Sequence, residues 1–320
     1  MKVVAILGGL GSQMFKYAFF LNIREKSKEE CWIDTTSYHL NKVWNGYELE
    51  RIFGIKEKDM VSLYPENYLE DARNMESWKY AVLQLIETYK CPVTRFFKGK
   101  EKSYRTADEL QRTQSEFFRK IHWYITYLPQ IWFHKKDKYR ERYWESNEIQ
   151  YFDEFNHLSD KYILKDKVQL KKIFQFPEFE EKENVDIAER IKQTESIAIH
   201  VRRSDHMYDN GRLYDSGYIK EAVSYMKAHV KEPVFFVFSE EAEWCKKNLD
   251  ILGLSTQDNV YFIDWNIGEK SFRDMQLMTY CKHNILINSS FSWWGYYLSS
   301  QEKKIVIAPK NNWDEVEIHI

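Results

Sequence analysis

Ser196-Ile197-Ala198-Ile199-His200-Val201-Arg202-Arg203-Ser204-Asp205 is the stretch on which the fold turns. Its first half is short, apolar and β-branched, the pattern of a buried strand. Its second half places two adjacent guanidiniums and a carboxylate at the carboxyl end of that strand. In open α/β sheets, ligands bind at that end. Arginine suits a phosphate there, because its planar fork makes bidentate, charge-assisted hydrogen bonds. The residues alone also allow a plainer reading, a surface salt bridge between an arginine and Asp205.

Toward the C-terminus the same alternation repeats. Helical spacing over 218–229, with Ile219, Ala222, Val223 and Met226 on one side, precedes the apolar strand Val234-Phe235-Phe236-Val237-Phe238. Further strands are expected at 260–263, 284–287 and 304–308, with helices at 186–192, 242–249, 272–281 and 293–300. Strands that are apolar throughout and separated by helices indicate a parallel sheet covered on both faces, a Rossmann-like half. The N-terminus begins in the same way. Residues 3–7 read as a strand, Gly8-Gly9-Leu10-Gly11 as a turn, and 13–24 as a helix with Met14, Tyr17, Ala18 and Leu21 on one face. Cys31-Trp32-Ile33 reads as the next strand, completing a βαβ start.

Three further places carry polar groups at strand ends. The glycine turn lets a ligand approach the backbone, and the helix after it offers free N–H groups to an anion; as a plain alternative it is only a tight turn. It matches neither the dinucleotide fingerprint nor the P-loop. Asn288-Ser289-Ser290-Phe291-Ser292-Trp293-Trp294-Gly295 follows a strand and opens a helix, which suits either a phosphate cradle or an ordinary N-cap. Glu240, Glu241 and Asp274 lie at a strand end and a helix start. There they could accept hydrogen bonds from a base or ribose, or cap a helix.

Composition narrows the function. A net charge of -2 gives no reason to expect a nucleic-acid partner. There is no Asp-x-Asp pair, no H-E-x-x-H and no Cys/His cluster, so neither a metal nor another cofactor is expected. A G-x-S-x-G elbow is also missing. The four cysteines are irregularly spaced and read as reduced thiols. No apolar run approaches the roughly 20 residues of a membrane span, and the apolar start reads as a buried strand rather than a signal peptide, so a cytoplasmic location is expected. Residues 70–143 are rich in aromatic and basic side chains and read as a helical insertion. Its segment 119–142 reads first as a solvated face over an aromatic core, and second as a peripheral contact with a membrane or anionic glycolipid.

These motifs together resemble the α-1,2-fucosyltransferases of glycosyltransferase family 11. Four separated elements occur in the family's order. They are Gly8-Gly9-Leu10-Gly11-Ser12-Gln13-Met14-Phe15-Lys16-Tyr17-Ala18, then Tyr143-Trp144-Glu145-Ser146 with Tyr151-Phe152, then His200 to Asp205, and finally the block 274–295. The resemblance implies an α/β, GT-B-like fold with two Rossmann-like lobes facing each other across a cleft. Residues 1–175 would form the N-terminal, acceptor-side lobe with its insertion, and 176–320 the donor-binding lobe. It implies GDP-β-L-fucose as donor, a glycan acceptor, inversion to an α-linkage at O-2 of a terminal galactose, and no required metal. On this sequence, Arg202 would contact the β-phosphate, His200 and Asp274 the guanosine, and Ser289, Ser290 and Phe291 the diphosphate. Gly11 would let the N-terminal loop close over it. Arg203 joins the donor side, and Trp144 and Glu145 the acceptor side. Asp205 would be the general base or the carboxylate that orients the arginines, with Asp209 and His206 as other candidate bases. Three departures mark this chain: Ser12 for the usual Asn, Ser204-Asp205-His206 for Gly-Asp-Tyr, and Glu145 for Gln.

Overall fold

A computed structural model describes residues 2–40, 44–63, 150–152, 166–203, 214–309 and 316–319. They divide into two compact units: Met1–Gly9 with Gln13–Lys165, and Leu10–Ser12 with Asp166–Ile320.

In the first unit, β1 (Lys2–Ala5) is the middle of a parallel sheet. Its neighbours are β2 (Cys31–Asp34) and β3 (Gln150–Phe152), the latter far away in sequence. Helix α1 runs over Leu10–Lys26, three residues earlier than its apolar spacing predicts. Gly8, at φ 88°, makes the turn, and Gly9 is the helix N-cap. Gly11 therefore lies in the first helical turn, a correction to its expected place in the loop. The helix is also buried on more than one face: Phe15, Phe19 and Phe20 are as inaccessible as Met14 and Ala18. A helix with apolar residues all round is an interior helix. Short helices α2 (Thr36–Leu40) and α3 (Leu49–Phe53) complete the described part of this unit.

The second unit opens with helices α4 (Lys167–Ile173) and α5 (Lys182–Gln193). The sheet follows as β4 (Glu195–His200), α6 (Tyr218–His229), β5 (Pro233–Phe238), α7 (Ala242–Lys247), β6 (Asn259–Ile263), α8 (Phe272–Tyr280), β7 (His283–Ile285), α9 (Ser290–Tyr297), β8 (Val306–Pro309) and β9 (Val316–His319). Its strand order is β6-β5-β4-β7-β8-β9, parallel except at the last pair. Written from the first strand, this is 3-2-1-4-5-6, the doubly wound Rossmann order. The antiparallel β9 adds an edge strand that the parallel expectation omitted.

Alternation along β4 divides the core. Ile197, Ile199 and Val201 face α6, where Ile219, Ala222, Val223 and Met226 cover them. Ala198 faces the other layer, with Phe236, Phe238, Ile187 and Ile191, and Leu277 and Met278 of α8. Complete burial of a side chain of this size contributes about 1.5–3 kcal/mol, so the two layers hold the strand ends rigidly. Cys31, Cys245 and Cys281 are free thiols. Among the described residues, no helix is long and apolar enough to cross a membrane.

Candidate active site

Strand order reverses between β4 and β7, which pair through Ile197–His283, Ala198–Asn284 and Ile199–Ile285. The chain therefore leaves β4 and β7 in opposite directions, opening a crevice at their carboxyl ends. His200, Arg202 and Arg203 leave β4 there, and Ser289, Ser290 and Phe291 follow β7. The sheet thus brings together two of the groups that the motifs suggested.

Arg202 follows the strand, and its backbone is fixed from a distance. Its N–H donates to Tyr214 Oη at 3.0 Å, and the same phenol donates to its carbonyl at 3.3 Å. Burial pushes the Tyr214 hydroxyl well above the usual phenol range, so it stays protonated and can donate. Nothing in the motif pointed to Tyr214; its only sequence signal was an aromatic residue just beyond the arginine loop.

Arg203 is held differently. Its guanidinium carbon lies 3.9 Å from the centroid of the Trp244 ring, and its Nη1 donates to Glu241 Oε2 at 3.0 Å. Trp244 in turn meets Tyr214 edge-on at 5.8 Å. Glu241 accordingly serves Arg203 and makes no side-chain cap on α7. The two adjacent arginines thus differ, the second being stacked and ion-paired beside the first.

His200 is buried, its ring 5.4 Å from that of Phe291. Phe291 is the second residue of α9, whose N-cap Ser289 accepts from the Phe291 N–H at 3.2 Å. The capping reading of Ser289 therefore holds, and the short helix still points its N-terminus into the crevice. Leu10–Ser12, the first turn of α1, belongs to this same unit. A Cβ on Gly11 would lie 2.7 Å from Phe291 N and 2.7 Å from Ser290 Oγ, closer than any side chain permits. Trp294 Nε1 donates to the Gly11 carbonyl at 2.9 Å, and Ser12 Oγ lies 3.5 Å from Ser290 Oγ. The first turns of two helices converge at this point. Their partial positive ends are a natural receiver for an anion. Trp294, fully buried, is the fastener between them, and its ring meets Phe174 edge-on at 5.1 Å.

Asp274 sits in the first turn of α8, half-buried, and accepts from Asn266 Nδ2 at 2.8 Å. Burial pushes its carboxyl up to about 8; the Asn266 hydrogen bond opposes this, and the Glu240 and Asp264 carboxylates add to it. No group of three or more His, Cys, Asp or Glu side chains able to hold a metal occurs among the described residues. Asp205, His206, Asp209, Trp144, Glu145 and the segment 119–142 lie outside the described residues.

The family model for glycosyl transferase family 11 matches residues 3–319. The chain belongs to this family. Over 99% of its length it is 26% identical to an alpha-1,2-colitosyltransferase of Escherichia coli, covering 94% of that protein. Shorter matches at 32% identity join it to the O-antigen biosynthesis glycosyltransferase WbnK of Escherichia coli, over 36% of this chain and 38% of that one. Another joins it to human galactoside alpha-(1,2)-fucosyltransferase 1, over 32% of this chain and 28% of that one. Among solved structures, NodZ alpha-1,6-fucosyltransferase soaked with GDP-fucose superposes with a TM-score of 0.50 at 14% identity, covering 99% of this chain and 98% of that one. The fucosyltransferase NodZ from Bradyrhizobium gives the same score at 13% identity, with 99% and 97% covered. The likeness shows the fold, an α/β, GT-B-like arrangement with parallel sheets. Family membership makes the chain a glycosyltransferase, and the switch-point crevice is its candidate donor site.

Proposed function

We propose that this family 11 glycosyltransferase moves L-fucose from GDP-β-L-fucose to O-2 of a terminal galactose on an oligosaccharide or glycolipid-linked glycan. The transfer inverts the anomeric carbon and uses no metal. The observation that carries the reading is the placement of Arg202. Its backbone is pinned by Tyr214 at the switch point, at the end of the strand next to the one that leads into Ser289, Ser290 and Phe291.

In this reading the acceptor oxygen attacks the anomeric carbon as the bond to the β-phosphate oxygen breaks. Negative charge grows on that oxygen. A fixed guanidinium there acts where charge develops, and removing such a contact typically costs about 2.7–4 kcal/mol of barrier. Arg202 supplies this contact, with Arg203 beside it as support. Ser289, Ser290 and Phe291 cradle the diphosphate, and Gly11 lets the first turn of α1 close against the start of α9. His200 and Asp274 hold the guanosine, and Trp144 and Glu145 are the acceptor-side candidates. Asp205 orients the arginines or accepts the proton of the acceptor hydroxyl. A pH–rate profile of Asp205→Asn separates the two: a uniform drop with unchanged limbs marks the orienting role.

A second donor has a specific observation behind it, since the relative matched over nearly the whole chain is a colitosyltransferase. Colitose is fucose without its 3-hydroxyl. Offering GDP-fucose and GDP-colitose separately with a galactoside acceptor decides between them. Faster transfer from GDP-fucose supports the first reading, and faster transfer from GDP-colitose replaces it. No transfer from either, alongside GDP binding, would favour a non-catalytic relative.

A further inference from the structure

Behind Asp274 lies a chain of buried amides whose orientation is fixed by chemistry. Trp265 Nε1 donates to Asn184 Oδ1 at 2.9 Å. An indole N–H can only donate, so the Asn184 oxygen must face Trp265. The Asn184 nitrogen then faces Asn266 Oδ1 at 2.8 Å and Glu181 Oε2 at 3.5 Å. Glu181, ion-paired to Lys270 at 3.2 Å and Arg273 at 3.3 Å, can only accept, which fixes the same orientation independently. Asn266 is left with its nitrogen toward Asn184 Oδ1 at 3.0 Å and Asp274 Oδ1 at 2.8 Å. Asn184 is 0% and Asn266 5% exposed, so neither amide can exchange these partners for water without opening the core. The usual ambiguity of amide oxygen and nitrogen is thereby removed at both residues. Among the described residues, Asp274 Oδ2 accepts no hydrogen bond.

We propose that the chain Trp265–Asn184–Asn266 is a positioning relay that occupies Asp274 Oδ1 and leaves Oδ2 to accept from the N–H edge of the donor's guanine. This rests on the donor reading above and makes Asn266 a positioning residue for nucleobase choice. Guanine presents N1–H and an exocyclic amine side by side, which suits an ionised carboxylate. Adenine presents a bare N1 there, which suits a protonated one.

The relay also couples donor binding to a proton. Three groups act on this carboxyl: Asn266 favours the ionised form, whereas Glu240 and Asp264 disfavour it, as burial does. A guanine edge pairing with the carboxylate expels the proton to solvent. Affinity should then tighten about tenfold per pH unit until the carboxyl is fully ionised.

The test is calorimetric titration of the full chain with GDP-fucose, without acceptor, in buffers of different ionisation enthalpy. Both phosphates of this ligand are esterified and do not titrate near neutrality. The expected result is proton release and an affinity that rises with pH to a plateau. Asn266→Ala should weaken binding roughly tenfold near neutrality, as for a lost hydrogen bond to a charged group, and move the rise to higher pH. The high-pH plateau should stay within about twofold. Trp265→Phe, a gentler change, should shift the profile in the same direction. A merely structural role would lower affinity equally at every pH, and that parallel profile would overturn the relay. Wild-type binding that is flat with pH and releases no proton would overturn it without any variant. In both cases the donor reading survives. No binding at any pH would overturn both.

Discussion

Tyr214 Oη closes a two-way hydrogen bond on the backbone of Arg202, accepting from its N–H at 3.0 Å and donating to its carbonyl at 3.3 Å. One buried phenol thus replaces a ladder partner on both sides of a residue that has left the sheet. The guanidinium projects from a backbone that is ordered in advance of any ligand. Tyr214→Phe removes both bonds and leaves two backbone groups to find water. Stability should fall by about 1–3 kcal/mol. The turnover number should fall more than donor affinity, because preorganisation of the charge is lost while its presence is kept. Denaturant melts and steady-state kinetics check the two effects.

The two arginines should separate cleanly. Arg202→Ala should keep the fold and lose on the order of 10²–10³ in turnover, as removal of a charge-stabilising contact does. Arg203→Ala breaks the Glu241 pair and the contact with the Trp244 face instead. It should lower stability by about 0.5–2 kcal/mol with a smaller effect on turnover. Thermal melts and kinetics of both variants check this. Equal losses of activity would remove the distinction.

Gly11→Ala should be far worse than its one added methyl suggests. The new Cβ would meet backbone atoms of Ser290 and Phe291 at 2.7 Å, and backbone cannot rotate away. Overpacking of this kind typically costs about 1–3 kcal/mol. The shift should fall on the turn that receives the diphosphate, so GDP affinity should drop together with stability. Titration with GDP beside a melt checks both.

Asp274 gives stability a pH slope. Its folded carboxyl lies at about 8 against an ordinary 3.8. Between those values the folded chain holds a proton that the unfolded chain has released, so this group's contribution falls as pH rises and is lost above the folded value. Asp274→Asn should flatten the melting temperature against pH across that window and leave the variant relatively more stable at the alkaline end. Melts at a series of pH values check it; an unchanged slope would show that other groups set it.

Much of this architecture is legible in the residue order. Val234 to Phe238 and Ile197 to Val201 are apolar runs too short for helices, and they lead the neighbouring strands β5 and β4. The edge strand β9 escaped because Val316-Glu317-Ile318-His319 is a four-residue alternation beyond the last apolar run. The early start of α1 escaped because glycines signal a turn, and only the close approach to Ser290 explains a glycine inside the first helical turn. At the site, Arg202, the serine cluster and Asp274 carry motif signals. Their supports do not. Tyr214 reaches Arg202 from twelve residues away, and Asn184 reaches Asn266 from 82 residues away. A lone Tyr or Asn looks alike whether it faces solvent or a buried carboxylate; only the fold distinguishes the two.

The most direct measurement is transfer itself: purified chain, GDP-fucose and a panel of galactose-terminated acceptors, with and without EDTA, followed by linkage analysis of the product. The expected product is an α-linked fucose at O-2 of galactose, formed at the same rate with EDTA present. A product at another position, a β-linkage, or activity that vanishes with EDTA would contradict the proposed transfer.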